Sequence, residues 1–217
     1  MSISGNRRQA HSATISAAVD LALFIHDHQR TAFGQIGIDP RGLSILELGP
    51  GTDFGPALML ASMGARVTLA DRYLAAWEPD FHPAYYRQLA EAWGQPADQI
   101  IAAADGYENT SLTLLSEGAE NLAAIPDDSV DFVFSHTVLE HIQDMTTVAA
   151  EMWRVMKPGG CAVHVIDWAD HRNMSRPLTH LLMPDEHFFA AADDALWEFG
   201  NRYRPSAIPE FPQPADR

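Results

Sequence analysis

The sequence predicts an α/β fold in which a mostly parallel sheet is flanked by helices. Three observations predict it. Short apolar runs alternate with helical stretches, a loop containing Gly49 and Gly51 joins the first run to a helix, and Asp71 ends the second run.

Taken in order, Ile15 to Arg30 reads as a helix, with Ile15, Val19, Ala22 and Ile25 apolar at helical spacing and Ala18 beside them. Gly34 and Gly37 are expected to break it, and Asp39-Pro40-Arg41-Gly42 to form a turn. Leu43 to Leu48 is a short apolar run suited to a buried parallel strand. Pro56 to Met63 is a helix closed by Gly64, and Arg66 to Ala70 a second strand. Residues 71–110 are mostly helical and rich in aromatics. Leu112 to Ser116 is a third strand, and Val130 to Ser135 a fourth, fed by the turn Pro126-Asp127-Asp128-Ser129. Thr146 to Met156 is an amphipathic helix, and Lys157-Pro158-Gly159-Gly160 leads from it into a fifth strand, Cys161 to Ile166. Such strands are joined by right-handed crossovers, and ligands sit at their carboxyl ends.

The bulk properties narrow the function. The chain has 217 residues, 47% hydrophobic and 20% charged, which suits one soluble domain. The polar start, Met1 to His11, lacks the apolar stretch of a secretory signal. No run reaches the roughly 20 apolar residues of a membrane span. A single cysteine, Cys161, leaves no internal disulfide framework and fits a reducing, cytoplasmic setting. The net charge of −15 disfavours nucleic acid and anionic membranes, because binding to either rests on basic patches. A small-molecule substrate is expected instead.

The loop after the first strand carries the first chemical signal. Gly49 and Gly51 allow a sharp turn and a close approach of a ligand to the backbone. The following helix offers free N–H groups and the positive end of its dipole. Asp71 lies about 20 residues further on, where a carboxylate can accept both hydroxyls of an adenosine ribose. A nucleoside ligand is expected on these grounds, although a dinucleotide uses the same geometry.

At these residues the chain resembles the class I S-adenosylmethionine-dependent methyltransferase family. Glu47-Leu48-Gly49-Pro50-Gly51 is similar to its first motif and Asp71-Arg72 to its second. Gly118-Ala119-Glu120-Asn121-Leu122 and Ile125 to Phe134 resemble the stretch that packs on adenine and enters the fourth strand. Ser135 to His141 and Val155 to Gly160 are similar to the later motifs, so the resemblance spans residues 43–166. It implies a Rossmann-like fold and S-adenosyl-L-methionine as cofactor, with S-adenosyl-L-homocysteine as product. Glu47, Gly49, Pro50 and Gly51 would then face the methionine part. Asp71 would hold the ribose, and Arg72, Ala119 and Glu120 would flank the adenine. Ser135 and His136 would border the methionine and the methyl group. Two departures stand out: Gly118 occupies a position that is often acidic, and the loop lacks a third glycine.

Methyl transfer is an in-line displacement that mainly requires positioning, with a base needed only for an acceptor that loses a proton. His136, at the end of the fourth strand, and His171, in the stretch Ile166 to His171 that resembles a subgroup of the family, are the candidate catalytic residues. Asp167 and Asp170 lie in the same stretch. His141 is expected to make a structural hydrogen bond, His26 and His28 to be exposed on different sides of their helix, and Cys161 to start a buried strand. His171, His180, Asp185, Glu186 and His187 lack compact metal-ligand spacing, so no metal is expected. The aromatic residues between Tyr73 and Trp93, among them Trp77, Phe81, Tyr85 and Tyr86, suit either a pocket wall or plain packing.

Three segments follow: an N-terminal helical segment, 1–42; a cofactor-binding Rossmann-like domain, 43–170; and a helical, proline-rich extension, 171–217. In that extension Ala190 to Phe199 reads as a helix and Asn201 to Pro214 as extended chain. The antiparallel hairpin that usually completes this fold is expected to be shortened or missing. The bare edge of the fifth strand then calls for cover by the tail or by a second subunit, a homo-oligomer. The expected activity is methylation of a small molecule such as a sugar or secondary metabolite. A non-catalytic scaffold that keeps the cofactor fold is the rival reading, and a nicotinamide oxidoreductase a distant third.

Overall fold

A computed structural model describes residues 14–95, 100, 107, 112–171, 173–190 and 201–207. Its centre is a five-stranded sheet of β1 (Ser44–Leu48), β2 (Arg66–Ala70), β3 (Leu112–Leu115), β4 (Val130–His136) and β5 (Met156–Val165). The order is β3-β2-β1-β4-β5 and every pairing is parallel. The helices are α1 (Ile15–Ile36), α2 (Gly55–Ser62), α3 (His82–Trp93) and α4 (Met145–Val155). The α/β architecture expected from the sequence is the one observed.

Side chains alternate across the strands, so two apolar layers form. Ile45, Val67, Leu69, Phe132 and Phe134 pack with residues of α1, α2 and α3 on one face. Leu46, Leu48 and Val133 pack on the other with Val148, Met152 and Val155 of α4. Gly55 permits close packing on the first face, because a Cβ there would lie 2.1 Å from the Tyr85 hydroxyl and 3.0 Å from Ala22.

Three local expectations are corrected. Gly34 does not break α1, which runs on to Ile36 and ends at Gly37 in the left-handed conformation; a glycine inside a helix costs only about 1 kcal/mol. Strand β5 begins at Met156 rather than at Cys161, absorbing Gly159 and Gly160 through a register shift between Val130 and Phe132, and Cys161 is only half-buried. His26 is not exposed: α3 packs on its side of α1, Trp93 meets its ring edge-on at 5.3 Å, and Gln29 bonds its Nδ1 at 3.2 Å.

Among the described residues no strand follows β5 or pairs with its outer edge. The expected helix from Ala190 to Phe199 lies almost wholly outside them, as do 208–214. The described tail binds the loop after β4 instead. Asn201 Nδ2 donates to the carbonyls of Leu139 and Ile142, both at 2.7 Å, and the Tyr203 hydroxyl donates to Gln143. Asn201→Ala is expected to destabilise the fold by about 2–3 kcal/mol, because two buried carbonyls lose their donor. A urea midpoint within experimental error of the native one would contradict this role. No described helix is long and apolar enough to cross a membrane.

Candidate functional site

The sheet grows from β1 through β2 to β3 on one side and through β4 to β5 on the other. The switch point therefore lies between β1 and β4, and its carboxyl edge is where an open α/β sheet receives a ligand. The loop from Gly49 to Phe54 sits at that edge. Gly49 (φ +61°) and Gly51 (φ +77°) both occupy left-handed backbone. A Cβ at Gly49 would lie 2.5 Å from the Val138 side chain, whereas the space beside Gly51 is open. Half-buried Pro50 stands between them, and the Gly49 N–H donates to the Ala70 carbonyl at 2.9 Å, tying the loop to the end of β2.

Alternation along β1 puts Glu47 on the face shared with Ile45, beneath the first helical layer. It is buried, and its Oε2 has no hydrogen-bond partner. Burial pushes its carboxyl up to about 8. A buried carboxyl with an unpartnered oxygen beside the glycine loop can ionise against a cationic ligand.

At the end of β2, half-buried Asp71 accepts the Tyr73 N–H at 2.7 Å. Arg72 reaches across Gly118 to Glu120 at 2.8 Å. A Cβ on Gly118 would fall 2.5 Å from Arg72 Nε and 2.8 Å from Glu120 Oε2, which explains the glycine physically. The carboxylates of Glu117 and Glu120 each keep one buried, unpartnered oxygen here. Ala119 packs beneath with Ala70 and Leu122. Arg154 of α4 fixes the segment by donating to the carbonyls of Leu122 and Ile125, both at 2.9 Å.

Ser135 and His136 at the end of β4 diverge because neighbouring strand residues face opposite ways. Ser135 is fully buried, and its hydroxyl shares a 2.7 Å hydrogen bond with Nδ1 of His164 on β5. Burial depresses the His164 imidazole to about 4, so it is neutral at pH 7. His136 turns toward α1 on the other face, where His28 (ring centroids 5.4 Å apart) and Phe24 (5.8 Å) meet it. Burial and then His28 lower its pKa. His28 is half-buried, not exposed as the sequence suggested, because α1 lies over the end of β4. Its i, i+4 spacing from Phe24 was the available signal.

A second group forms behind the loop after β4. His171 Nε2 lies 3.2 Å from Asp167 Oδ2, and its ring meets that of His141 edge-on at 5.5 Å. Glu140 is buried, accepts the Asp167 N–H on Oε1 at 3.3 Å, keeps Oε2 unpartnered and is pushed up to about 7 by burial. Buried Asp170 donates its N–H to the Pro177 carbonyl at 2.7 Å. The two candidate catalytic histidines thus belong to separate groups, His136 with α1 and His171 with the segment after β5. Sequence reasoning passed over Glu140 and His164, whose burial has no composition signal. Among the described residues, no three His, Cys, Asp or Glu side chains are placed to hold a metal.

Residues 86–164, from α3 through β5, match the family described as "Methyltransferase domain". Over that stretch the chain is similar to the methyltransferase-domain family. Over 121 residues the domain is 34% identical to the S-adenosyl-L-methionine-dependent Diels-Alderase iccD of Talaromyces variabilis, covering 56% of this chain and 35% of that protein. The chain therefore spans about a third of the length of that curated relative. It also resembles the solved structure of Haemonchus contortus phosphoethanolamine N-methyltransferase 2 in complex with S-adenosyl-L-methionine, at 16% identity and a TM-score of 0.49, covering 89% of this chain and 40% of that one. A third likeness is to a SAM-dependent methyltransferase from Aquifex aeolicus, at 18% identity and a TM-score of 0.45, covering 81% and 80%.

Proposed function

We propose that this methyltransferase domain binds S-adenosyl-L-methionine at the carboxyl edge of β1 and β2 and transfers its methyl group to a small molecule. The observation that carries the reading is the loop of left-handed Gly49 and Gly51, open beside Gly51, next to the buried carboxyl of Glu47 with its unpartnered Oε2, at the switch point of the sheet. Those residues fit the cofactor's methionine end, which bears an ammonium and a sulfonium. Asp71 holds the ribose, and Arg72, Ala119 and Glu120 flank the adenine. When bound, the cofactor supplies an electrophilic methyl group on sulfur. The protein's share is to hold the acceptor in line and exclude water. The partners of the reading are a small-molecule acceptor and a second copy of the chain along the outer edge of β5.

One observation favours a second reading. The curated relative is named as a cofactor-dependent Diels-Alderase, so the bound cofactor here would stay intact during the reaction. Incubation with methyl-labelled S-adenosyl-L-methionine and a panel of hydroxyl and amine acceptors separates the two. Labelled product with stoichiometric S-adenosyl-L-homocysteine supports methyl transfer. Tight cofactor binding with no turnover on any acceptor supports the second reading.

Glu47 gives a pH prediction. Its folded-state pKa of about 8 lies above the ordinary 4.5, so between those values the folded chain holds a proton that the unfolded chain releases. The ligand-free protein is expected to lose stability as pH rises from about 5 to 8, by a few kcal/mol in total. Glu47→Gln removes that loss and is more stable than wild type at pH 8. Parallel denaturation curves for the two proteins at every pH would contradict a neutral, buried Glu47.

A further inference from the structure

We infer that Phe24 and His28 of α1, together with His136 of β4, form the acceptor subsite, and that the group it takes is a hydroxyl on an apolar body. The inference rests on the cofactor reading above, since that reading places the transferable methyl at the same edge of the sheet. Three rings from two elements converge there. Phe24 meets His28 edge-on at 4.5 Å and His136 at 5.8 Å, and the two imidazoles stand 5.4 Å apart. Phe24 is 56% exposed although it meets His136 at the carboxyl end of β4, and Leu21, three positions earlier, is 48% exposed. An exposed phenyl ring beside two imidazoles is an apolar wall with polar handles, the composition of a small-molecule site.

The imidazoles decide the acceptor class. His28 Nδ1 and His136 Nε2 are both buried and lack a hydrogen-bond partner. A pair of partnerless ring nitrogens is costly unless a ligand or a shared proton satisfies them. Lowering of the His136 pKa by burial and by His28 keeps that imidazole neutral near pH 7, as a proton acceptor must be. An acceptor with no proton to lose has no use for it. As the acceptor oxygen forms its bond to the methyl carbon, the carbon–sulfur bond breaks and its electron pair stays on the now neutral sulfur. The hydroxyl proton passes to His136, and His28, its ring 5.4 Å away, is the positioning residue.

The test uses phenol and toluene as matched probes, differing by a hydroxyl, on protein saturated with S-adenosyl-L-homocysteine. Binding is read from the imidazole proton resonances of His28 and His136. Phenol is expected to bind at least tenfold more tightly than toluene and to shift both imidazoles. The preference disappears in His136→Phe and falls severalfold in His28→Gln, while homocysteine-cofactor affinity stays unchanged in His28→Gln. Equal binding of the two probes, or no response of these resonances to either, overturns the subsite. The same outcome with intact cofactor binding leaves the cofactor reading standing, whereas failure of the cofactor itself to bind defeats both.

Discussion

Asp71→Ala is expected to weaken S-adenosyl-L-homocysteine binding by about 100-fold or more without unfolding the protein. Hydrogen bonds to a charged group contribute about 1.5–3 kcal/mol each, and a ribose offers two hydroxyls to one carboxylate. The lost bonds therefore correspond to about two orders of magnitude or more in affinity at 1.4 kcal/mol per factor of ten. Stability is spared because Asp71 is half-buried in a turn and accepts a short-range bond from the Tyr73 N–H. Asp71→Asn should retain part of the affinity, since one acceptor oxygen survives. Calorimetry on the three proteins checks the series. Equal affinities for native and alanine proteins would remove Asp71 from the site.

Phe134→Ala carries the largest expected loss of stability, about 3–5 kcal/mol. Phe134 is fully buried on the central strand β4, opposite Glu47 of β1 in register and packed in the layer beneath α1, α2 and α3. Removing a ring there leaves a cavity that two flanking strands cannot close. Domains of this size hold only about 5–15 kcal/mol in total, so the variant should unfold at markedly lower urea and lose cofactor binding through the neighbouring Glu47. A denaturation midpoint near that of the native chain would show that β4 is not the centre of the core.

The fold was readable because its signals are local. Mostly apolar runs such as Leu43 to Leu48 and Val130 to Ser135 are too short for surface helices, and the glycines of the first loop mark a strand–helix turn. The placement of Gly49 and Asp71 just past the ends of β1 and β2 was legible for the same reason, while their role in the site is a proposal. What the sequence hid depends on which elements meet. His28 reads as a surface residue until α1 is seen lying over the end of β4. Ser135 and His136 read as one unit until strand alternation sends them to opposite faces, one to His164 and the other to Phe24 and His28. Gly118 reads as a departure from a motif until Arg72 and Glu120 are found closing over it. Helical periodicity also failed at Gly34, where tertiary packing of α1 outweighs a weak local preference.

In the proposed reading the site divides its work between the two sides of the switch point. The β1 and β2 ends carry carboxylates and an open glycine loop, suited to a cationic nucleoside. The β4 end and α1 carry two imidazoles and an exposed ring, the proposed acceptor side. The Asp167–His171 pair behind the loop after β4 is farther along the chain from either group, held beside buried Glu140. Its position makes it a neighbour of the strap formed by Asn201 and Tyr203.

The most direct test is calorimetric titration of the native chain with S-adenosyl-L-homocysteine at pH 8. Binding at micromolar concentration with one site per chain is expected, with heat that depends on the buffer's ionisation enthalpy as Glu47 releases its proton. A well-folded protein that gives no binding heat at millimolar ligand would contradict a cofactor site at the ends of β1 and β2.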